Sequence, residues 1–172
     1  MRHHRQRKPR PPLDRARLDE LALAYVGRFA TTRARLRAYL ARKVRERGWD
    51  DGPPPDVEAI AERFAAQGYV DDAAFALAKS RSLTGRGYGA RRVEQSLRVA
   101  GVEEEDSAPA RDHARADCVQ AAVRFAERRR LGPFASEPAD RKGRERALAA
   151  MIRAGHGFGL ARAILDLPPG AD

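Results

Sequence analysis

The segment ARRVEQSLRVAGV, residues 90–102, sets an aliphatic residue, Leu97, four positions before a glycine, Gly101. The same pairing closes two further basic stretches, as Val44/Gly48 and Met151/Gly155, so that the three glycines fall 53 and 54 residues apart. A glycine there suits the left-handed residue that ends a helix, and the aliphatic residue one turn earlier is its buried anchor. An apolar residue soon follows each glycine: Trp49, Val102 and Phe158. Even spacing of a helix-plus-stop unit is the mark of internal repetition. The chain reads as a tandem array of small helical units.

Composition agrees with that reading. Only 15 of the 172 residues are Val, Ile or Thr, while Ala, Arg, Leu and Glu dominate, which favours helix over sheet. No apolar run approaches the roughly 20 residues that span a bilayer. The opening MRHHRQRKPRPP has charge without an apolar core, so it does not read as a secretory signal. The single Cys118 has no partner for an internal disulfide and suits a reducing cytosol as a small core residue.

Charge is organised in blocks. The net value is +10, and residues 1–17 carry +6, 28–47 carry +7, 48–78 carry −6, 79–98 carry +5 and 99–117 carry −4. Alternating blocks make basic faces beside acidic ones, as expected of a protein that meets a polyanion and a second protein.

Residues 1–17 read as a disordered basic tail. A first helix is expected from Leu18 to Phe29, and a second, capped by Thr32, runs to Arg47 with Leu36, Tyr39, Leu40 and Val44 inward. Asp56 caps a third helix, with Val57, Ile60, Ala61 and Phe64 inward, and Gly68 closes it. A fourth begins at Asp71 and reaches Leu83; the loop TGRGYG leads into a fifth over 90–100. Glu103–His113 has four consecutive acids, Pro109 and little to bury, so a sixth helix there is expected to be short or frayed. One long helix, Ala114 to Arg130, should follow, then helices over 141–154 and 160–165. The expected architecture is all-α: three tandem three-helix repeats forming an elongated array. The repeats span 18–70, 71–113 and 114–167, with a C-terminal tail at 168–172.

Few motifs carry chemistry. The loop Gly85-Arg86-Gly87-Tyr88-Gly89 before a helix has the outline of a phosphate cradle. It lacks the preceding strand of a dinucleotide fold and the Lys-Ser/Thr pair of a P-loop. It reads as a tight turn, with a second reading in which its free amides and Arg86, Arg91 and Arg92 hold a backbone phosphate. The four histidines have no second ligand at helical spacing, and Asp71-Asp72 is explained by capping. Neither a catalytic constellation nor a metal or cofactor site emerges, so the chain does not read as an enzyme. The candidate residues for contact with nucleic acid or a protein partner are Arg33, Arg35, Arg37, Lys43, Arg86, Arg91, Arg92 and Arg98.

The segment GYVDDAAFALAKSRSLTGRGYGARRVEQSLRVAGV, residues 68–102, resembles the RecX family of recombinase regulators in its glycine-apolar-Asp-Asp start and its RGYG-x-RR-apolar run. TTRARLRAYLARKVRERGW at 31–49 and ALAAMIRAGHGFGLARAIL at 147–165 look like the family's first and third units. The resemblance implies a cytoplasmic regulator without cofactor or chemistry of its own, a monomer that binds the RecA filament on single-stranded DNA. It would restrain ATP hydrolysis and strand exchange, and with them recombination and the SOS response. Contact with single-stranded DNA would be weak and through phosphates. Arg35 departs from the family pattern, which has an acid there to complete a capping box, and His156-Gly157 looks like an insertion before Phe158. A different class of protein also fits three-helix units with a basic second helix: a helix-turn-helix regulator of double-stranded DNA. Such a protein reads base edges from one recognition helix, whereas this chain has no Asn and spreads its arginines over several units.

Overall fold

The computed structural model describes residues 11–170. The part of the tail expectation that falls on residues 1–10 lies outside the described residues. Among the described residues there are nine α-helices and one short 3₁₀ turn, and no β-sheet forms. The chain divides into two compact units, Met1–Asp71 and Asp72–Asp172.

The first unit holds α1 (Arg15–Val26), α2 (Arg33–Arg47) and α3 (Val57–Ala66). Each begins at a side-chain cap. Asp14, Thr32 and Asp56 accept from the amides of Arg17, Arg35 and Ala59 at 2.8, 3.2 and 3.0 Å. These bonds satisfy first-turn amides that have no partner inside the helix. Leu13, Leu18, Ala22, Leu36, Leu40, Ala61, Phe64 and Val70 form one buried cluster.

Two expectations are corrected in this unit. Residues 13–17 belong to the folded part and not to a tail: Leu13 is fully buried, and Arg15–Arg17 start α1. The Leu13 amide donates to the Gly48 carbonyl (2.9 Å), and the Asp50 amide donates to the Leu13 carbonyl (3.0 Å). Arg47 clamps the entry by donating twice to the Pro11 carbonyl, at 3.2 and 2.9 Å. A lone leucine between charges has no local periodicity, so only its long-range partner marks it as core. At the other end, α1 stops at Val26, and Phe29 lies outside it, exposed, its ring 5.6 Å from Tyr25.

The second unit begins with α4 (Asp72–Gly85), α5 (Ala90–Ala100) and α6 (Glu104–Ala116) around Ala76, Leu83, Val93, Leu97, Ala110 and Ala114. It continues with α7 (Cys118–Arg129), the 3₁₀ turn Gly132–Phe134, α8 (Arg141–Arg153) and α9 (Phe158–Leu165). These surround Ala122, Phe125, Ala126, Met151, Ala154, Ala161 and Ile164. Tyr88 is half-buried against both clusters.

The expected frayed sixth helix is instead a full one, and it is the main partner of α4. Its buried positions are Ser107, Ala110 and Ala114, and those of α4 include Ala76 and Ser80. Small side chains let two helix backbones approach closely, so dispersion between backbones replaces large apolar groups. Ser80 Oγ donates to the Ala110 carbonyl at 2.8 Å and lies 3.3 Å from His113 Nδ1. Nor is 114–130 one helix. The backbone turns at Asp117 (φ −89°, ψ 8°), which ends α6 and begins α7.

The repeated glycine closure is real at two of its three places. Val102 N donates to the Leu97 carbonyl (3.1 Å) and His156 N to the Met151 carbonyl (3.1 Å), with Gly101 and Gly155 at φ 69° and 97°. Gly48 differs: its ψ of 168° sends the chain outward so that its carbonyl meets Leu13.

Replacing Leu13 by Ala removes a fully buried side chain and should lower unfolding stability by about 2–5 kcal/mol. Urea unfolding followed by circular dichroism checks this; an unchanged midpoint would return Leu13 to the tail.

Candidate nucleic-acid interface

The glycine loop after α4 is a junction inside the second unit. The amides of Gly87 and Tyr88 donate to the Thr84 and Leu83 carbonyls at 2.7 and 3.0 Å, with Gly87 at φ 80°. Gly87 stacks against the α7 backbone, where a Cβ would lie 2.9 Å from Phe125 N. The Gly89 amide then donates to the Ala154 carbonyl (2.9 Å), and the Arg91 amide to the Gly155 carbonyl (3.2 Å). Arg92 N and Val93 N donate to the Gly89 carbonyl at 3.0 and 3.2 Å. At the start of α5 the amides of Gly89, Arg91, Arg92 and Val93, which the phosphate-cradle reading needs, are therefore committed to carbonyls. The loop is a tight turn whose helix is capped by the chain after α8.

Two more contacts hold this junction. His156 is 2% exposed; its Nε2 lies 3.0 Å from the Gly87 carbonyl and its ring 5.6 Å from Phe125. Nε2 carries the proton and donates, which leaves Nδ1 as a buried lone pair without a partner. Burial pushes the imidazole pKa below its ordinary value, and the bond to Gly87 opposes that only in part. Arg124 Nη1 donates to Asp117 Oδ2 (2.9 Å) and to the Thr84 carbonyl (3.2 Å), fastening α7 to α4. The hydrogen bond from Arg124 holds the Asp117 carboxyl below the usual carboxylate range.

Sequence reading passed over both anchors. His156 occupies the place after Gly155 that Val102 occupies after Gly101, so it is no insertion, and that register was the available signal. Phe158, expected to fill the same role, is instead exposed.

The eight candidate cations separate into two sets. In the first unit, Arg33 Nη1 reaches Glu62 of α3 at 3.4 Å, and Arg37 pairs with Glu58 of the same helix. Lys43 donates to Glu46 at 2.7 Å, drawing that carboxyl below its ordinary pKa, and sits 5.8 Å from the Tyr39 ring centroid. Arg35 is half-buried. The basic second block thus meets the acidic third block within the unit.

In the second unit, Arg86, Arg91, Arg92 and Arg98 are exposed, and no carboxylate pairs with them among the described residues. Arg86 and Arg92 bracket Tyr88, their guanidinium carbons 5.9 and 6.0 Å from its ring centroid. Arg91 and Arg98, two helical turns apart, point away from buried Val93 and Leu97. The second unit thus carries, in this turn and along α5, four cations whose charge is not spent on a carboxylate inside the protein. A preordered, planar donor is well suited to phosphate oxygens. No cluster of His, Cys, Asp or Glu able to hold a metal occurs among the described residues, and none of their helices is long and apolar enough to cross a membrane.

The chain is 35% identical over 160 residues to a regulatory protein RecX of Myxococcus xanthus, covering 88% of this chain and 86% of that protein. With a regulatory protein RecX of Thermobifida fusca it shares 34% identity over 155 residues, 88% of this chain and 82% of the other. The crystal structure of RecX from Lactobacillus salivarius has the same fold, with a TM-score of 0.69 at 16% identity over 87% of this chain and 92% of that one. No protein-family model matches the chain.

Two outcomes follow from the junction. Gly89→Ala places a Cβ on the Gly155 carbonyl, so the variant should lose the cooperative thermal transition of the second unit. The imidazole of His156 gives a pH dependence of definite sign. Above the unfolded value, about 6.5, both states are neutral and stability is unaffected. As pH falls below that, the unfolded chain takes up a proton that the folded one resists, so stability drops until the folded imidazole is also protonated. Urea midpoints between about pH 7.5 and about pH 5 should fall more steeply for the wild type than for His156→Leu. Parallel curves would show that His156 is not the group responsible.

Proposed function

This chain belongs to the RecX family of regulatory proteins, and we propose that it acts by binding RecA filaments on single-stranded DNA and restraining ATP hydrolysis and strand exchange. On this reading it modulates recombination and the SOS response in the cytoplasm, as a monomer. The observation that carries the proposal is the set of exposed arginines without carboxylate partners, Arg86, Arg91, Arg92 and Arg98, whereas Arg33, Arg37 and Lys43 of the first unit each meet a glutamate. Such a set attracts phosphates without reading sequence, because the contact is with charge and not with base edges. A filament of protein on DNA offers both phosphates and protein surface. Arg33, Arg35, Arg37 and Lys43 belong to the proposal as a secondary contact, for which Arg33, Arg37 and Lys43 would have to exchange the glutamates they meet at home for external acids.

The test adds the protein to filaments already formed on saturated DNA. Prompt slowing of ATP hydrolysis at substoichiometric protein supports filament binding, since a mere competitor for bare DNA acts slowly or not at all. Arg91→Glu with Arg98→Glu should weaken both the inhibition and single-stranded DNA binding at every sequence. It should also flatten the salt dependence by about 0.7 log units per lost phosphate contact. Charge reversal at Arg37 is the poorer probe, because it sets a glutamate against Glu58. No inhibition of preformed filaments, together with tight sequence-specific duplex binding, would overturn the proposal in favour of a duplex-DNA regulator.

A further inference from the structure

A groove of about 730 Å³ runs along the last part of the second unit, walled by the end of α7, one face of α8 and the chain after α9. Its size lies within the range of cavities that hold ligands. Arg129, Arg130, Arg144 and Arg146 edge it, while Ala147 and Leu167 are among its mostly apolar lining. The one carboxylate at its edge, Asp166, is occupied by Arg162 at 3.4 Å. None of the four arginines has a carboxylate partner among the described residues.

The rim is also built in place. Arg130 is the one described non-glycine residue at positive φ, 52°, at a helix end of the kind that glycine closes after α5 and α8. Left-handed backbone is disfavoured for a residue with a side chain, so glycine would suit this place better unless the guanidinium were wanted. Arg129 lies over the Phe125 ring at 5.7 Å, and Arg146 Nε donates to the Lys142 carbonyl at 3.3 Å. The far wall is pinned by the Gly170 amide, which donates to the Pro133 carbonyl at 2.9 Å.

We infer that this groove docks an acidic, leucine-bearing segment of a partner protein. Four cations over an apolar floor select an occupant that brings carboxylates to the rim and aliphatic side chains to the floor. A nucleic acid fits less well, because no Phe, Tyr or Trp lines the groove to stack a base. The basic start of this same chain carries the wrong charge to fill it. The inference does not rest on the filament reading, and its test contains neither RecA nor a filament.

The probe is a short fluorescein-labelled peptide with leucines at helical spacing among glutamates, titrated into the full chain and followed by fluorescence anisotropy. It should bind saturably. Changing its glutamates to glutamine, or its leucines to serine, should each weaken binding about tenfold or more, since both halves of the groove are needed. Arg144→Glu with Arg146→Glu, and separately Leu167→Asp, should give the same loss; these residues are exposed, and unchanged circular dichroism and melting would show that the fold is kept. Arg91→Glu with Arg98→Glu should leave the peptide affinity as it was. Equal binding of the leucine and serine peptides would reduce the groove to a charge contact and overturn the inference. So would groove variants without effect, or oligothymidylate binding that the Arg144/Arg146 reversal abolishes.

Discussion

Two glycines meeting backbone to backbone hold the second unit together. Gly89 at the head of α5 and Gly155 at the end of α8 approach so closely that neither has room for a Cβ; one on Gly155 would lie 2.5 Å from Arg92 N. The approach lets carbonyls from the end of α8 accept the amides that a helix start leaves without partners. One contact therefore caps α5, stops α8 and sets the place of His156, whose bond to Gly87 closes the same junction. A phosphate could have satisfied those amides equally well in chemical terms. The protein satisfies them itself, so any contact the loop makes with an anion falls to the side chains it displays.

That displacement governs how charge is used. Exposed ion pairs contribute little stability in water, about 0–1 kcal/mol each. The pairs between α2 and α3 matter more for what they remove: they cancel much of a basic block that looked available in sequence. The Arg86/Tyr88/Arg92 group has the opposite character, two guanidinium groups set around one ring and no acid to neutralise them. The apolar groove beside α8 adds a second face of unspent arginine, one that differs from the first by offering aliphatic walls without rings. The proposed contacts with a polyanion and with a protein segment draw on these two different surroundings of unpaired arginine.

The places where local reading failed have a common cause. α6 was underestimated because Ser107, Ala110 and Ala114 carry little hydrophobic signal. Their contribution lies in the close approach to α4 that small size permits, a property of the pair of helices. Leu13 reads as part of a tail because it follows a basic, proline-rich run and falls outside the helical spacing that starts at Leu18; its partner is the backbone around Gly48 and Asp50. The break at Asp117 was invisible because Arg124 and Thr84, which hold it, belong to other turns and other helices.

From the sequence alone came the helical class, most helix starts and stops, the glycine closures after α5 and α8, and the family resemblance. These depend on caps, glycines and periodicity, which act over a few residues, where neighbours in sequence are neighbours in space. Tertiary structure alone decided which arginines are already paired, that the RGYG loop docks on α7 and α8, that His156 is buried and neutral, and that a groove lies beside α8. Each of these depends on groups brought together from distant parts of the chain, and composition does not record which acid will reach which base or which carbonyl will reach which amide.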